Sequence, residues 1–114
     1  MLKRPHILVV GSFMMDLIAS TKRAPNSGET VIGLKFQTAP GGKGANQAVA
    51  AARMGGDVCF VACVGDDGFG AEAVRHYAGE GIDTSYIVRR NGVASGVALI
   101  AVDDAAENSI VVAP

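Results

Sequence analysis

A glycine-rich turn that runs directly into an alanine-rich segment constrains the fold of this chain more than any other stretch. The turn has three glycines within four positions, Gly41, Gly42 and Gly44. Glycine accepts positive φ angles and leaves its amide open to close approach by another group. Small apolar residues then recur with helical spacing, at positions 45, 48, 49 and 52. This pattern predicts a helix over residues 45–54 whose free first amides lie beside the turn, where an oxygen-rich ligand would fit.

Two interpretations of the turn stay open on the glycines alone. A turn of this kind also serves simply to join a strand to a helix in an α/β protein. Two side chains favour a ligand-binding role: Lys43 is a donor-only cation, and Asn46 carries both a donor and an acceptor. Together they can hold a hydroxyl group from two sides, which suits a sugar better than a bare phosphate.

Spacing excludes two common nucleotide-binding motifs. A P-loop requires glycine at position 37 and serine or threonine at position 44, but the chain has Gln37 and Gly44. The dinucleotide-binding fingerprint G-x-G-x-x-G would follow the first strand closely, and residues 11–16 do not contain it. The sequence therefore disfavours a P-loop NTPase and a Rossmann dehydrogenase.

Apolar runs on either side of the turn indicate a parallel α/β unit with an inserted small sheet. Residues 7–10 predict a strand covered on both faces, and a right-handed crossover is expected to join it to a parallel strand at 58–64. A second helix is expected over residues 70–78, with positions 71, 74 and 78 on its packing side. Four further short strands are predicted, at residues 17–21, 30–36, 97–102 and 109–112, the last two as a hairpin.

Asp16 is the candidate binding carboxylate. It follows the end of the first strand closely, and open α/β sheets place their ligands at the carboxyl ends of strands. A carboxylate at that place can accept hydrogen bonds from neighbouring hydroxyl groups. The alternative is a surface aspartate that caps a turn, because aspartate is common in such turns.

No metal site is predicted from the remaining titratable residues. Asp66 and Asp67 immediately precede the second helix, and we expect them to satisfy its first amides rather than to bind a metal. His6 and His76 have no acidic or cysteine partner at a suitable spacing. Both histidines are therefore expected at the surface.

Charge and composition argue against several partners. The formal net charge is −1 and the isoelectric point is about 6.0, so no long-range attraction to nucleic acid or to an anionic membrane is expected. No apolar run approaches the ~20 residues that span a bilayer. Cys59 and Cys63 lie four apart in a predicted strand, which indicates two small core residues and is consistent with a reducing cytoplasm.

Several motifs together resemble the N-terminal signature of the ribokinase/phosphofructokinase-B family of ATP-dependent sugar kinases. The resemblance rests on residues 41–55 and 64–70, with further matches at Gly11-Ser12, Asp16, residues 28–30 and residues 95–100. It implies the N-terminal part of a ribokinase-like α/β fold: a parallel sheet flanked by helices, with a small projecting β-sheet lid formed approximately by residues 17–38 and 95–112. In this family the lid closes over the sugar and often pairs with a second subunit, so a homodimer is expected.

The resemblance also implies site residues and cofactors. It assigns sugar contact to Asp16, Gly42, Lys43 and Asn46, and an apolar cover to Ala98 and Ile100. The catalytic aspartate, in a Gly-Ala-Gly-Asp motif, is expected beyond residue 114, together with the sites for ATP, Mg²⁺ and a monovalent cation such as K⁺. The chain would then carry the sugar-binding half of a longer protein, and we expect it to bind sugar weakly and not to turn over alone.

The reaction implied by the resemblance is transfer of the γ-phosphoryl group of MgATP to the primary hydroxyl of D-ribose. Met14 departs from the family pattern, in which asparagine is common, and a thioether cannot donate a hydrogen bond. Kinases for another sugar such as fructose, for a deoxyribose or for a nucleoside are therefore kept as alternatives. A non-catalytic sugar-binding or dimerisation module is the alternative from a different functional class.

Overall fold

The computed structural model describes residues 3–114, which form two β-sheets and two helices. The helices are α1 (Lys43–Arg53) and α2 (Gly68–Gly79). The main sheet is parallel and has the spatial order β1 (His6–Val10), β4 (Asp57–Gly65) and β5 (Ile87–Arg90). The second sheet is mixed and has the order β3 (Lys35–Gly41), β2 (Met14–Ser20), β6 (Val97–Val102) and β7 (Asn108–Ala113).

The hydrophobic core lies on one face of the main sheet, beneath the two helices. Alternate residues of β4 are buried and cluster with small or aromatic side chains of the helices: Val58, Phe60, Ala62, Val64, Ala45, Ala48, Ala73 and Tyr77. The opposite face is open, since Leu8 and Val10 of β1 are 65% and 71% exposed. The prediction that this first strand is covered on both faces is therefore wrong for the described residues.

The two cysteines lie on the open face of β4. Cys59 is partly buried and Cys63 is exposed, and both are free thiols. Side chains alternate between the faces of a strand, so the buried even-numbered residues of β4 force the odd-numbered cysteines to the other side. The prediction of a shared face is correct, but the prediction that both cysteines are core residues is wrong.

Helix α1 begins at Lys43, two residues before the predicted start. Its N-cap is Gly42, whose φ of 99° is open to glycine and costly for other residues. The helix ends at Arg53, and Gly55 follows with a φ of 95°, which confirms the predicted C-terminal stop. The glycine run therefore forms the first turn of the helix instead of standing before it.

Helix α2 is capped by Asp67, whose side chain accepts a hydrogen bond from the amide of Gly70. This confirms the capping prediction for Asp67. The buried side of the helix carries Ala73 and Tyr77, whereas Ala78, predicted to pack, is exposed. Burying the large ring of Tyr77 removes more apolar surface from water than burying an alanine, and this turns the helix away from the predicted side. Neither helix of the described chain has the length and apolarity of a membrane span.

Strand β3 lies later in the chain than predicted, at Lys35–Gly41 instead of residues 30–36. Proline interrupts a strand in the middle of a sheet because it lacks an N–H, and Pro40 argued against a strand at this place. The observed β3 is an edge strand that pairs only with β2. At an edge the missing donor of Pro40 can face away from the neighbouring strand.

Strands β6 and β7 form an antiparallel hairpin, which confirms that prediction, and β6 also pairs with β2 in parallel. Residues directly opposite one another in a sheet share a face. Asp16 of β2 is paired with Ala98 of β6, which is paired with Val112 of β7. One face of the second sheet therefore carries the Asp16 carboxylate in line with apolar side chains.

Glycine-on-glycine contact joins the two sheets at the start of α1. A Cβ on Gly44 would lie 2.7 Å from the Cα of Gly11, and the reverse distance is 2.8 Å. The amide of Ala45 donates to the carbonyl of Ser12 at 3.3 Å in the same place. The segment that leaves β1 for the second sheet is thus packed on the first turn of α1 without side chains between them.

Replacing Gly44 by alanine tests this contact. We expect Gly44→Ala to lower the free energy of unfolding by about 1–3 kcal/mol, because its Cβ meets backbone atoms that cannot move independently. Gly79→Ala is the matched control in α2, where a Cβ meets nothing within 4 Å, and it should stabilise by about 0.5–1 kcal/mol. Denaturant unfolding measures both, and equal effects would contradict the close packing of Gly11 on Gly44.

Candidate functional site

A cavity of about 460 Å³ lies where the first turn of α1 meets the second sheet. We call it the site cavity. Its lining includes all six residues assigned to sugar contact by resemblance: Asp16, Gly42, Lys43, Asn46, Ala98 and Ile100. Four more residues complete the lining: Ser12, Met14, Ile110 and Val112. The structure therefore brings the six residues together, and their role in binding stays a prediction.

Lys43 and Asn46 form the helical part of the lining. They stand three residues apart at the start of α1, so their side chains lie on the same side of the helix. Both are exposed, and neither side chain has a hydrogen-bond or ion-pair partner among residues 3–114. The amides of Ala45 and Asn46 are bonded to the carbonyls of Ser12 and Gly42. An ammonium group and a side-chain amide are thus free to bind at the positive end of the helix.

Asp16 supplies the carboxylate of the site cavity. It lies within β2 rather than in a turn, so the alternative of a turn cap is wrong. Burial raises the pKa of this carboxyl above its ordinary value, and no described group offsets the cost with a hydrogen bond or a positive charge. A partly buried carboxylate without a donor is a strong acceptor for hydroxyl groups that enter the cavity.

The space beside the glycine run is filled by atoms of the chain itself. A Cβ on Gly41 would overlap the Asp16 carboxylate, and a Cβ on Gly42 would lie 2.7 Å from the carbonyl oxygen of Ser12. Glycine is therefore required at these positions for the turn to pack, whatever binds nearby. The side chains of Lys43 and Asn46, not the glycines, distinguish this turn from a purely structural one.

The second sheet supplies an apolar wall. Ala98 and Ile100 of β6 and Ile110 and Val112 of β7 line the cavity opposite the polar groups, and Met14 of β2 adds a thioether. Ile110 and Val112 were not predicted as site residues. They could have been found from the hairpin, because the register places Ile110 across from Ile100 and Val112 across from Ala98.

Tyr77 is a buried polar residue near the site that sequence reasoning missed. Its side chain is 1% exposed and packs edge-on against Phe13 at 6.1 Å and Phe60 at 5.5 Å between ring centroids. Its hydroxyl has no hydrogen-bond partner within the described part of the chain. Burial, with a smaller contribution from the negative charge of Asp16, raises the pKa of this phenol above its ordinary value. Tyr77 therefore stays neutral, and its ring supports Phe13 in the link between the sheets.

Other chemistry-bearing residues lie outside the site cavity. His6, expected to have no partner, pairs with Asp57 at 2.7 Å, so that expectation is wrong, although both side chains are exposed. Asp66 lies 3.4 Å from Arg89 and does not cap α2. No cluster of three or more histidine, cysteine, aspartate or glutamate side chains that could hold a metal occurs within residues 3–114.

A neighbouring cavity of about 580 Å³ is lined by residues of β3, α1 and α2. Its charged group, Arg53, is already bonded to Glu80 at 3.0 Å. His76 lines it too, with its ring edge-on to Tyr77. In the site cavity, by contrast, Asp16 and Lys43 have no ion-pair partner among the described residues. Unpaired polar groups that converge on one space make the site cavity the stronger candidate.

Comparison with known proteins agrees with this geometry. The profile of the pfkB family carbohydrate kinases matches residues 4–114. A ribokinase of Bacillus subtilis is 47% identical over 107 residues, which cover 94% of this chain and 36% of that protein. A deoxyribokinase of Salmonella typhi is 43% identical over 106 residues, covering 93% of this chain and 35% of its own length. The chain thus spans about a third of the length of these relatives.

The fold is also shared with solved structures. The structure of Arabidopsis thaliana ribokinase complexed with ribose and ATP superposes with a TM-score of 0.83 at 32% identity, over 98% of this chain and 36% of that one. The match includes both sheets, since it covers almost every described residue. The ribokinase-like α/β fold expected from the sequence is therefore confirmed. By the extent of these matches, the chain belongs to the pfkB family of carbohydrate kinases.

Proposed function

We propose that the protein carrying this chain is an ATP-dependent kinase that phosphorylates D-ribose to D-ribose 5-phosphate, and that it acts in the cytoplasm. The observation that carries the proposal is the composition of the site cavity. A carboxylate, an ammonium group and an amide line one part of it, and aliphatic side chains line the other. A sugar has hydroxyl groups at its rim and C–H groups on its faces, so it matches both parts.

Each site residue has a role in this proposal. Asp16 accepts hydrogen bonds from neighbouring sugar hydroxyls, and Lys43 donates to a hydroxyl oxygen. Asn46 both donates and accepts, and Gly42 lets the chain turn into α1 beside the sugar. The apolar side chains of the second sheet, Ala98 and Ile100 among them, cover the sugar and exclude water.

Catalysis on this proposal needs residues outside residues 3–114. The described acidic and histidine residues do not cluster as metal ligands, so the chain does not fit a Mg²⁺ or K⁺ site of its own. We place those sites, the ATP site and the catalytic aspartate in the part of the protein that the relatives have and this chain lacks. ATP supplies the phosphoryl group, and the present residues contribute by holding the sugar hydroxyl in position.

A deoxyribose is the second candidate substrate, and Met14 favours it. The thioether of Met14 lines the site cavity near Asp16 and cannot donate a hydrogen bond. A sugar hydroxyl that faced it would lose hydrogen bonds to water without replacement, whereas a methylene group would lose none. One relative of comparable identity bears the name deoxyribokinase. A binding module without catalysis is the remaining alternative.

We further propose that the second sheet joins two copies of the protein. The face that points away from the site cavity carries exposed aliphatic and aromatic side chains, of which Phe36 is 66% and Val111 64% exposed. With Leu17, Leu99 and Pro25 they line a shallow depression of about 470 Å³. A second copy of the same face would bury these groups symmetrically. The two-sided apolar character of this sheet was the reason to expect a dimer.

Kinetics of the whole protein test the kinase proposal. We expect ribose-dependent ADP formation, and a steep rise of the sugar KM in Asp16→Asn, because the neutral amide replaces the strongest acceptor in the site. Asp104→Asn, an exposed aspartate elsewhere in the chain, is the matched control and should leave KM unchanged. The isolated 114-residue chain should bind ribose weakly and consume no ATP. Ribose-dependent ATP consumption by that chain, or an unchanged KM in Asp16→Asn, would refute the assignment.

The substrate is decided by comparing ribose with 2-deoxyribose in the whole protein and in Met14→Asn. If Met14 faces the position that distinguishes the sugars, the new amide should raise the ratio of kcat/KM for ribose over deoxyribose by about tenfold, one hydrogen bond to a hydroxyl. Ile18→Val, on the same strand face but outside the cavity lining, is the control. An unchanged ratio would remove Met14 from the specificity argument.

Sedimentation tests the dimer. Leu99→Asp places a charge in the centre of the exposed apolar face and should convert the dimer to a monomer, since an unpaired charge in an interface is costly. Val93→Asp, also at an exposed apolar position but outside that face, should leave the dimer intact. A monomeric unsubstituted protein, or a Leu99→Asp dimer of unchanged affinity, would disprove the proposed interface.

A further inference from the structure

Three connections tie the second sheet to the main sheet. Residues 11–13 lead from β1 to β2, Gly42 alone separates β3 from α1, and residues 91–96 lead from β5 to β6. The first two are short and packed on the start of α1. The third is the longest, and Val93 and Ala94 within it are exposed. What holds residues 91–96 in place therefore bears on how firmly β6 and β7 sit over the site cavity.

The third connection crosses directly over the end of β4. A Cβ on Gly65 would overlap the carbonyl oxygen of Val93 and the backbone of Ser95. The amide of Gly65 donates to Ser95 Oγ at 2.9 Å, and Ser95 is buried, with 6% of its surface exposed. Ser95 is thus held by the main sheet although it belongs to the entry of the second.

Asp67 completes this attachment with both carboxylate oxygens. Oδ1 accepts from the amide of Gly70 at 2.8 Å and from the hydroxyl of Ser95 at 2.7 Å. Oδ2 accepts from the amide of Ser95 at 2.7 Å. The bonds from Ser95, with that from Gly70, lower the pKa of this carboxyl below its ordinary value. Two of the three bonds join the cap of α2 to the chain that enters β6.

From Ser95 the path to the cavity is short. Gly96 follows, its carbonyl accepts from the amide of Met15 at 2.9 Å, and β6 begins at Val97. Ala98, three residues after Ser95, lines the site cavity. A shift of Ser95 is therefore passed on to the apolar wall of the cavity with no flexible segment between them.

We propose that Asp67 is a positioning residue that, through Ser95, sets how closely β6 and β7 cover the sugar. This inference rests on the proposed function, because it assumes that the site cavity holds a sugar. Asp67 touches neither the sugar nor ATP in this role. It acts as a fixed point on the main sheet from which the apolar wall is built.

A simpler role for Asp67 would be the cap of α2 alone, and one substitution separates the two roles. Asparagine is as good an N-cap as aspartate, so Asp67→Asn can keep the bond from the amide of Gly70. Its NH₂ group would then face the amide of Ser95, donor against donor, and that bond would be lost. Ser95→Ala removes the hydroxyl that bridges Asp67 and Gly65 and leaves the cap untouched.

The test uses the whole protein with Asp67→Asn and Ser95→Ala. We expect the KM for the sugar to rise about tenfold in each, the loss of one charge-assisted hydrogen bond, with the KM for ATP unchanged. Asp66→Asn is the matched control, an exposed neighbour that contacts Arg89 and not Ser95. Without ligand, amide hydrogen exchange should be faster in β6 and β7 of both variants and unchanged in α2.

The opposite pattern overturns the proposal. Faster exchange in α2 with unchanged exchange in β6, or an unchanged sugar KM in both variants, would make Asp67 a helix cap and nothing more. If the unsubstituted protein phosphorylates no sugar, the proposed function fails. The exchange comparison of β6 with α2 still decides the positioning role in that case, because it needs no substrate.

Discussion

The contact between Gly11 and Gly44 is the constraint on which the site depends. Without side chains on either residue, the backbone that leaves β1 touches the first turn of α1, and Ser12 accepts a hydrogen bond from that turn. The positive end of the helix is thereby held against the carboxyl end of the first parallel strand. β2 starts three residues after Gly11, so Asp16 reaches the same place. One backbone contact brings the cation, the amide and the carboxylate together.

The site cavity has walls from two separate layers of the fold. Its polar groups belong to the start of α1 and to β2, and its aliphatic wall belongs to the hairpin of β6 and β7. The main sheet, which holds the core, contributes no strand residue to the lining. The width of the cavity therefore depends on how the second sheet is attached. The buried link through Ser95 and the tight turn at Gly42 are the places where that attachment is made.

Sequence patterns predicted most of the elements but not all of their positions. The parallel strands, both helices, the hairpin and the Asp67 cap were found because each has a local signal in apolar spacing or capping chemistry. β3 was misplaced because Pro40 reads as a strand breaker unless the strand is known to be an edge. The buried side of α2 was misjudged because the partners that bury Tyr77, Phe13 and Phe60, are distant in sequence. The cysteines were assigned to the core because a strand pattern does not show which face is covered.

The family, the fold class and the six candidate residues followed from the sequence alone, because glycine turns, caps and alternating strands are local and their chemistry belongs to single side chains. Tertiary structure decided what lies beside what. It placed Ile110 and Val112 in the cavity through strand register, filled the space beside the glycine run with Ser12 and Asp16, and linked Asp67 to Ser95 across 28 positions. These contacts join segments far apart in the chain, so no local pattern encodes them, and only the packing of one sheet against the other brings them about.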